Sequence, residues 1–146
     1  MAETGGMPAG CEIRTDLADF DLEMVVAFIR QSYWGKGFSR ERILESFAQS
    51  YCFGAFVEGR QVGFARVVSD RVFHGYIYDV FVLPDFRGRG IARALMTAIL
   101  NDEHLKNVSG FMLATRDAHR LYERFGFETV TDPSRYMVLN LPEPDA

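Results

Sequence analysis

The chain has 146 residues, 48% of them hydrophobic and 25% charged, with a formal net charge of −4. That length suits one domain able to bury about 68–70% of its unfolded surface, and the acidity argues against general binding to nucleic acid. No apolar run approaches a membrane span of ~18 residues and no charged lead with an apolar core marks a secretory signal, so no membrane partner and a cytoplasmic setting are expected.

Residues 1–10, MAETGGMPAG, read as a flexible lead, 11–141 as one domain, and the terminal 142–146 as a flexible tail. CEIRTD is a first strand. Asp19 or Asp21 caps a helix that carries Leu22, Val25, Val26 and Ile29 on one side and ends near Gln31. The loop SYWGKGF follows, and Ser39 caps a second helix with Ile43, Leu44 and Phe47 at helical spacing. YCFGAFVEGRQVGFARVVS reads as a hairpin turning at Glu58, Gly59 and Arg60, and HGYIYDVFVL as a long strand. A third helix buries Ile91, Ala94, Leu95, Ala98 and Ile99. GFMLAT is a strand, and Ala118, Leu121, Tyr122 and Phe125 form the inner face of a fourth helix ended by Gly126. FETVT and RYMVLN close the chain as two more strands. The alternation predicts an α/β or α+β layer fold on a mixed sheet.

The segment Arg87-Gly88-Arg89-Gly90-Ile91-Ala92 is the most pointed feature. It ends a strand and opens a helix, where free N–H groups and the helix dipole attract anions. Two glycines let a ligand approach the backbone, and Arg87, Arg89 and Arg93 add positive charge. A phosphate or pyrophosphate fits this turn, and a glycine-relieved turn with solvated arginines is the plain alternative. Walker A is excluded because no Lys-Ser or Lys-Thr pair follows a glycine. In a GxGxxG frame starting at Gly88 the last place is Arg93, which excludes the dinucleotide fingerprint. His74, His104 and His119 have no ligand spacing, so no metal is implied. Cys11 and Cys52 form no CxxC and are too few for a disulfide scaffold.

Arg87 to Ala92 resembles the [QR]xxGx[GA] acetyl-CoA pyrophosphate loop of the GNAT superfamily of N-acetyltransferases. AHRLYERFGF, from Ala118 to Phe127, is similar to that family's AxxLYxxxGF segment, and the element order agrees from about Cys11 to Leu141. The resemblance implies a mostly antiparallel sheet of about seven strands with about four helices, strands four and five splayed. It implies acetyl-CoA as cosubstrate, with Arg87, Gly88, Arg89, Gly90, Ile91 and Ala92 at the pyrophosphate. Val80, Phe81 and Val82 would pair with the pantetheine, the Val82 N–H polarising the thioester carbonyl beside a β-bulge. Thr115 stands where relatives often carry a cofactor-contacting Asn. Tyr122 matches the tyrosine that often protonates the CoA sulfur; it also falls on an apolar helix face, where a core role is the alternative. Asp79, a carboxylate within an apolar strand, is read as the base, or as an anchor held by a neighbouring strand. Tyr33, Trp34 and Phe38 would wall the acceptor side or plug the core.

Direct transfer to a small-molecule amine is the expected reaction. A protein Nα or lysine amine is the second acceptor class, and a non-catalytic acyl-CoA-binding domain is the rival. Relatives are often dimeric, so a homodimer through the final strands is left open.

Overall fold

The computed structural model describes residues 7–144; the first six residues of the expected lead and the last two of the tail lie outside them. Strand β1 spans Cys11–Arg14, followed by helices α1 (Leu22–Gln31) and α2 (Arg40–Ala48). Strands β2 (Tyr51–Val57), β3 (Arg60–Ser69) and β4 (His74–Val82) form a meander. Helix α3 (Ile91–Asn101) crosses back to strand β5 (Gly110–Leu113), and α4 (His119–Glu123) follows. The sheet order is β1-β2-β3-β4-β5, antiparallel throughout except for the parallel β4–β5 pair.

Local chemistry accounts for these elements. The Asp21 and Ser39 side chains accept from the N–H groups of Met24 and Arg42, capping α1 and α2 as their sequence pattern predicts. The β2–β3 turn has positive φ at both Glu58 and Gly59, matching the right-handed twist of the strands it joins. Buried Gln61 accepts from the Asp21 N–H at 2.7 Å and donates to the Gly63 carbonyl at 3.1 Å, tying the start of α1 to the sheet.

Strand alternation divides the core between two sheet faces. On one, α3 buries Ile91, Leu95, Met96 and Ile99 against Phe53, Ala55, Val67 and Ile77. On the other, α1 and α2 bury Val25, Ile29, Ile43 and Phe47 against Phe56, Phe64 and Phe81. Each of these side chains larger than alanine contributes about 1.5–3 kcal/mol by leaving water, so both helical layers are held firmly.

Two irregularities interrupt the sheet around β4. Between the Phe64↔Phe81 and Arg66↔Tyr78 pairs, Ala65 of β3 faces both Asp79 and Val80. This is the expected β-bulge, and its first residue, Asp79, has φ +57°. Pairing of β4 with β5 runs only from His74↔Gly110 to Ile77↔Leu113. Beyond Ile77 the two strands share no rungs.

Among the described residues the expected seven strands are five. The last two, FETVT and RYMVLN, are not strands: residues 127–144 have no sheet partner among the described residues. Their β-branched and aromatic content suits a pleated surface, but a strand exists only where another edge accepts its hydrogen bonds. Met137, Val138, Leu139 and Leu141 stand 97%, 84%, 82% and 76% exposed. Glu143 reaches back to an ion pair with Arg42 at 3.2 Å.

Candidate active site

A cleft of about 1160 Å³ opens where β4 and β5 part. One wall is the bulged half of β4, the other the end of β5 with Thr115 and α4. The floor continues down β3 and β4, and the α1–α2 loop closes the far side. Of the residues predicted from sequence, Tyr33, Trp34, Phe38, Asp79, Val80, Phe81, Val82, Arg87, Gly88, Ile91, Ala92, Thr115 and Tyr122 line it. Arg89 and Gly90 do not.

The backbone along Asp79–Val82 is positioned by the bulge. The Leu83 N–H donates to the Val62 carbonyl at 2.8 Å. Antiparallel alternation therefore turns the N–H and C=O of Val82 away from β3, toward the cleft. The Val82 carbonyl is already engaged, accepting from Arg87 Nε at 3.0 Å. The Phe81 ring stacks on Phe28 at 3.9 Å and is buried, so Phe81 offers the cleft its main chain.

At one end, Gly88 and Gly90 adopt φ of +77° and +81°, and Gly90 forms the N-cap of α3. A Cβ added at Gly88 would meet nothing within 4 Å, leaving open space against the bare backbone. Arg89 lies over the Phe86 ring at 5.1 Å instead of turning into the cleft.

Across the cleft, Thr115 Oγ1 accepts from the Ala118 N–H at 3.0 Å and so steadies the start of α4. Tyr122 is mostly buried and belongs to the α3-side core, yet also borders the cleft. Burial pushes its phenol up to about 12, with the negative fields of Tyr33 and Asp117 adding to the effect. The hydroxyl is therefore protonated across the physiological range.

Asp79 is the most constrained group. Trp34 Nε1–H donates to its Oδ1 at 2.7 Å and Arg66 Nε to its Oδ2 at 2.9 Å. The Arg66 and Asp79 side chains are both largely buried, at 13% and 9% exposure. Arg66 also donates to Ser50 Oγ at 3.1 Å and lies over the Tyr78 ring at 4.5 Å. Tyr33 packs edge-on against Trp34 at 5.3 Å, with Arg116 over its ring at 3.8 Å.

Sequence reasoning missed Arg66, Tyr76, Tyr78, Phe28 and Asp117. Arg66 had a faint signal as a cation inside an apolar strand; the others look like ordinary strand or helix residues until the register is known.

A cleft opened between a bulged fourth strand and a parallel fifth, with a glycine turn at its end, is the arrangement that the sequence resemblance implied. The chain belongs to the acetyltransferase (GNAT) family, whose model matches residues 22–127. A protein from Xanthomonas campestris pv. campestris assigned to that family in its crystal structure is 40% identical, at TM-score 0.87. The alignment covers 94% of this chain and 96% of that one. Serotonin N-acetyltransferase 2, chloroplastic, of Oryza sativa subsp. japonica is 38% identical over 80 residues, covering 54% of this chain. The uncharacterized N-acetyltransferase ycf52 of Gracilaria tenuistipitata var. liui is 36% identical over 73 residues, 49% of this chain. The matched stretch spans only 40% and 39% of those two relatives. A Clostridium acetobutylicum structure solved with acetyl-CoA shares the fold at TM-score 0.67 and 16% identity, covering 89% of this chain and 96% of that one.

Proposed function

We propose that the protein is an acetyl-CoA-dependent N-acetyltransferase that acetylates a primary amine of a small molecule by direct attack. The observation that carries this reading is the parting of β4 and β5 after Ile77↔Leu113, which opens the unpaired edge of the bulge opposite Tyr122. The gap accepts an extended arm, and the open space at Gly88 accepts a pyrophosphate.

Acetyl-CoA would supply the activated acyl group; transfer forms an N–C bond and breaks the C–S bond. Arg87 to Ala92 hold the diphosphate, with Gly90 setting the start of α3 and Arg89 contributing field. Val80 to Val82 would present main chain to the pantetheine, and the Val82 N–H, turned toward the cleft, would stabilise negative charge developing on the thioester carbonyl. Tyr122 gives its proton to the departing sulfur and regains one from solvent. The attacking nitrogen releases its proton to water in the open cleft. Thr115 holds α4, and thereby Tyr122, in place. Asp79, with an oxygen taken by each of two donors, serves as the anchor that fixes Trp34 and Arg66. Tyr33, Trp34 and Phe38 form the acceptor wall.

CoA thiol release from acetyl-CoA, measured with a panel of small amines and with amine-bearing peptides, tests the reading, with Tyr122→Phe alongside. Release with a small amine, weakened in the variant, supports it. Release with peptides alone assigns a protein acceptor. Protection against heat by acetyl-CoA without any release assigns an acyl-CoA-binding domain. We keep the cytoplasm as the proposed location; among the described residues no helix is long and apolar enough to cross a membrane.

A homodimer is the second proposal. Five large apolar side chains between Tyr136 and Leu141 are exposed, and β5 has a free edge. Two copies exchanging these segments would cover ten such side chains, the kind of apolar patch a stable interface of ~1,600 Å² requires. A sedimentation mass of one chain at micromolar concentration would end this proposal.

A further inference from the structure

Two carboxylates border the cleft among the described residues, and they are placed for different tasks. Asp79 accepts from Trp34 Nε1–H at 2.7 Å and from Arg66 Nε at 2.9 Å, so its charge is already matched. Asp117 is exposed and takes part in no hydrogen bond or ion pair among the described residues. Its backbone is nonetheless fixed, because it lies inside the turn that the Ala118 N–H closes by donating to Thr115 Oγ1 at 3.0 Å. A helix of five residues gives this carboxylate little dipole to complement, so α4 does not account for it. No lysine, histidine or glutamate lines the cleft among the described residues. Asp117 is therefore the one uncommitted carboxylate there that could meet an ammonium.

A cation already sits beside it. Tyr33 belongs to the α1–α2 loop and is 55% exposed. Arg116, on the segment joining β5 to α4, lays its guanidinium over that ring at 3.8 Å, so the two sides of the cleft touch here. Arg116 is itself exposed, and it turns to the ring and not to the carboxylate of its neighbour. The Tyr33 face thus takes a cation, and an exposed side chain supplies one. Tyr33 and Asp117 both stand near enough to Tyr122 for their fields to act on its hydroxyl. A π face, a free carboxylate and the proposed proton donor meet at one corner of the cleft, and a cation satisfies the first two together.

We propose that Tyr33 and Asp117 form the subsite for the acceptor's ammonium, and that Arg116 holds the ring face until the acceptor displaces it. This rests on the acetyltransferase reading. The incoming ammonium takes the guanidinium's place on the ring and gains the carboxylate that Arg116 leaves unpaired. Loss of one proton from that nitrogen to water then makes it nucleophilic and ends its attraction to Asp117, freeing it to attack the thioester.

Tyr33 packs edge-on against Trp34 at 5.3 Å, and Trp34 is the chain's one tryptophan, so its fluorescence reads what lies on the ring. The full chain with CoA would be titrated with hexylamine and with hexan-1-ol, alike in length and different in charge. CoA release from acetyl-CoA with hexylamine would be followed in parallel. Hexylamine should bind about fivefold tighter than the alcohol. Asp117→Asn should abolish that preference and Asp117→Glu should keep it. Arg116→Ala should tighten hexylamine binding about threefold, because the resident competitor is gone. Both positions are exposed, so the variants keep the fold. Equal binding of the two probes, binding of neither, or a preference that survives Asp117→Asn overturns the proposal. Weaker hexylamine binding in Arg116→Ala also overturns it, since Arg116 would then be supporting the site and not occupying it. CoA release separates the two levels. Charge-selective binding without release would refute the transferase reading and keep the subsite, whereas release unaltered by Asp117→Asn would do the reverse.

Discussion

Replacing Asp79 separates its charge from its hydrogen bonding. Asp79→Asn keeps an oxygen for Trp34 Nε1–H and a residue type that tolerates φ of +57°. What it loses is the negative charge facing Arg66, a guanidinium only 13% exposed. A charge-assisted hydrogen bond at such a site is worth about 1.5–3 kcal/mol, so a loss near ~2 kcal/mol is expected. Asp79→Ala removes both acceptors, leaving a buried cation and an indole N–H without partners. That costs about 3–5 kcal/mol, plus about 1 kcal/mol for alanine in the left-handed region. Arg66→Met combined with Asp79→Asn should regain much of the Asn loss, because no charge is then left alone. Urea unfolding at pH 7, followed by Trp34 fluorescence, gives all four stabilities. The ordering should persist in 1 M salt, since screening scarcely reaches a pair this buried. A loss under about 1 kcal/mol for Asp79→Ala would refute the view that the pair is a buried, mutually dependent unit.

Other outcomes concern single positions. Gly88→Val should lower stability by only about 1–2 kcal/mol, the cost of positive φ, because its Cβ enters open space; acetyl-CoA affinity, by calorimetry, should fall at least tenfold. A Cβ at Gly35 would collide with the Ile29 carbonyl oxygen. Gly35→Ala should therefore destabilise by about 1–3 kcal/mol and red-shift Trp34 emission as the aromatic loop moves. Burial raises the Cys52 thiol from 9.0 to about 12 and the Tyr122 phenol from 10.0 to about 12. The folded protein holds these protons more tightly than the unfolded chain, so stability is intact below pH 9 and declines between about pH 9 and 12. Urea midpoints at pH 8 and 11 check this, and Cys52→Ala should flatten the decline.

What could be read from the sequence was local. Asp21 and Ser39 announce α1 and α2 because a cap acts within three residues, and Glu58-Gly59 marks the hairpin because its turn needs positive φ twice. The glycine–arginine turn was legible for the same reason. The site's centre was not. Trp34, Arg66 and Asp79 are separated by 32 and 13 positions, and only the β3–β4 register and the α1–α2 loop bring them together. The bulge was expected from the family resemblance, but no glycine marked its first residue. RYMVLN carries a strand's composition, and composition says nothing about whether an edge is available to receive it.

The short β4–β5 pairing has a consequence for motion. The β2–β3–β4 meander closes through short turns and is paired over most of its length on either side of its bulges, whereas β5 and α4 return after a long crossover to four pairs of residues. The far wall of the cleft is thus held to the meander by one short ladder and should open locally while the meander stays shut. A ligand lying between the strands would supply rungs that the chain itself omits. Hydrogen exchange at β5 and α4 should then be fast in the free protein and slow most there on binding, making that wall's order a property shared between protein and ligand.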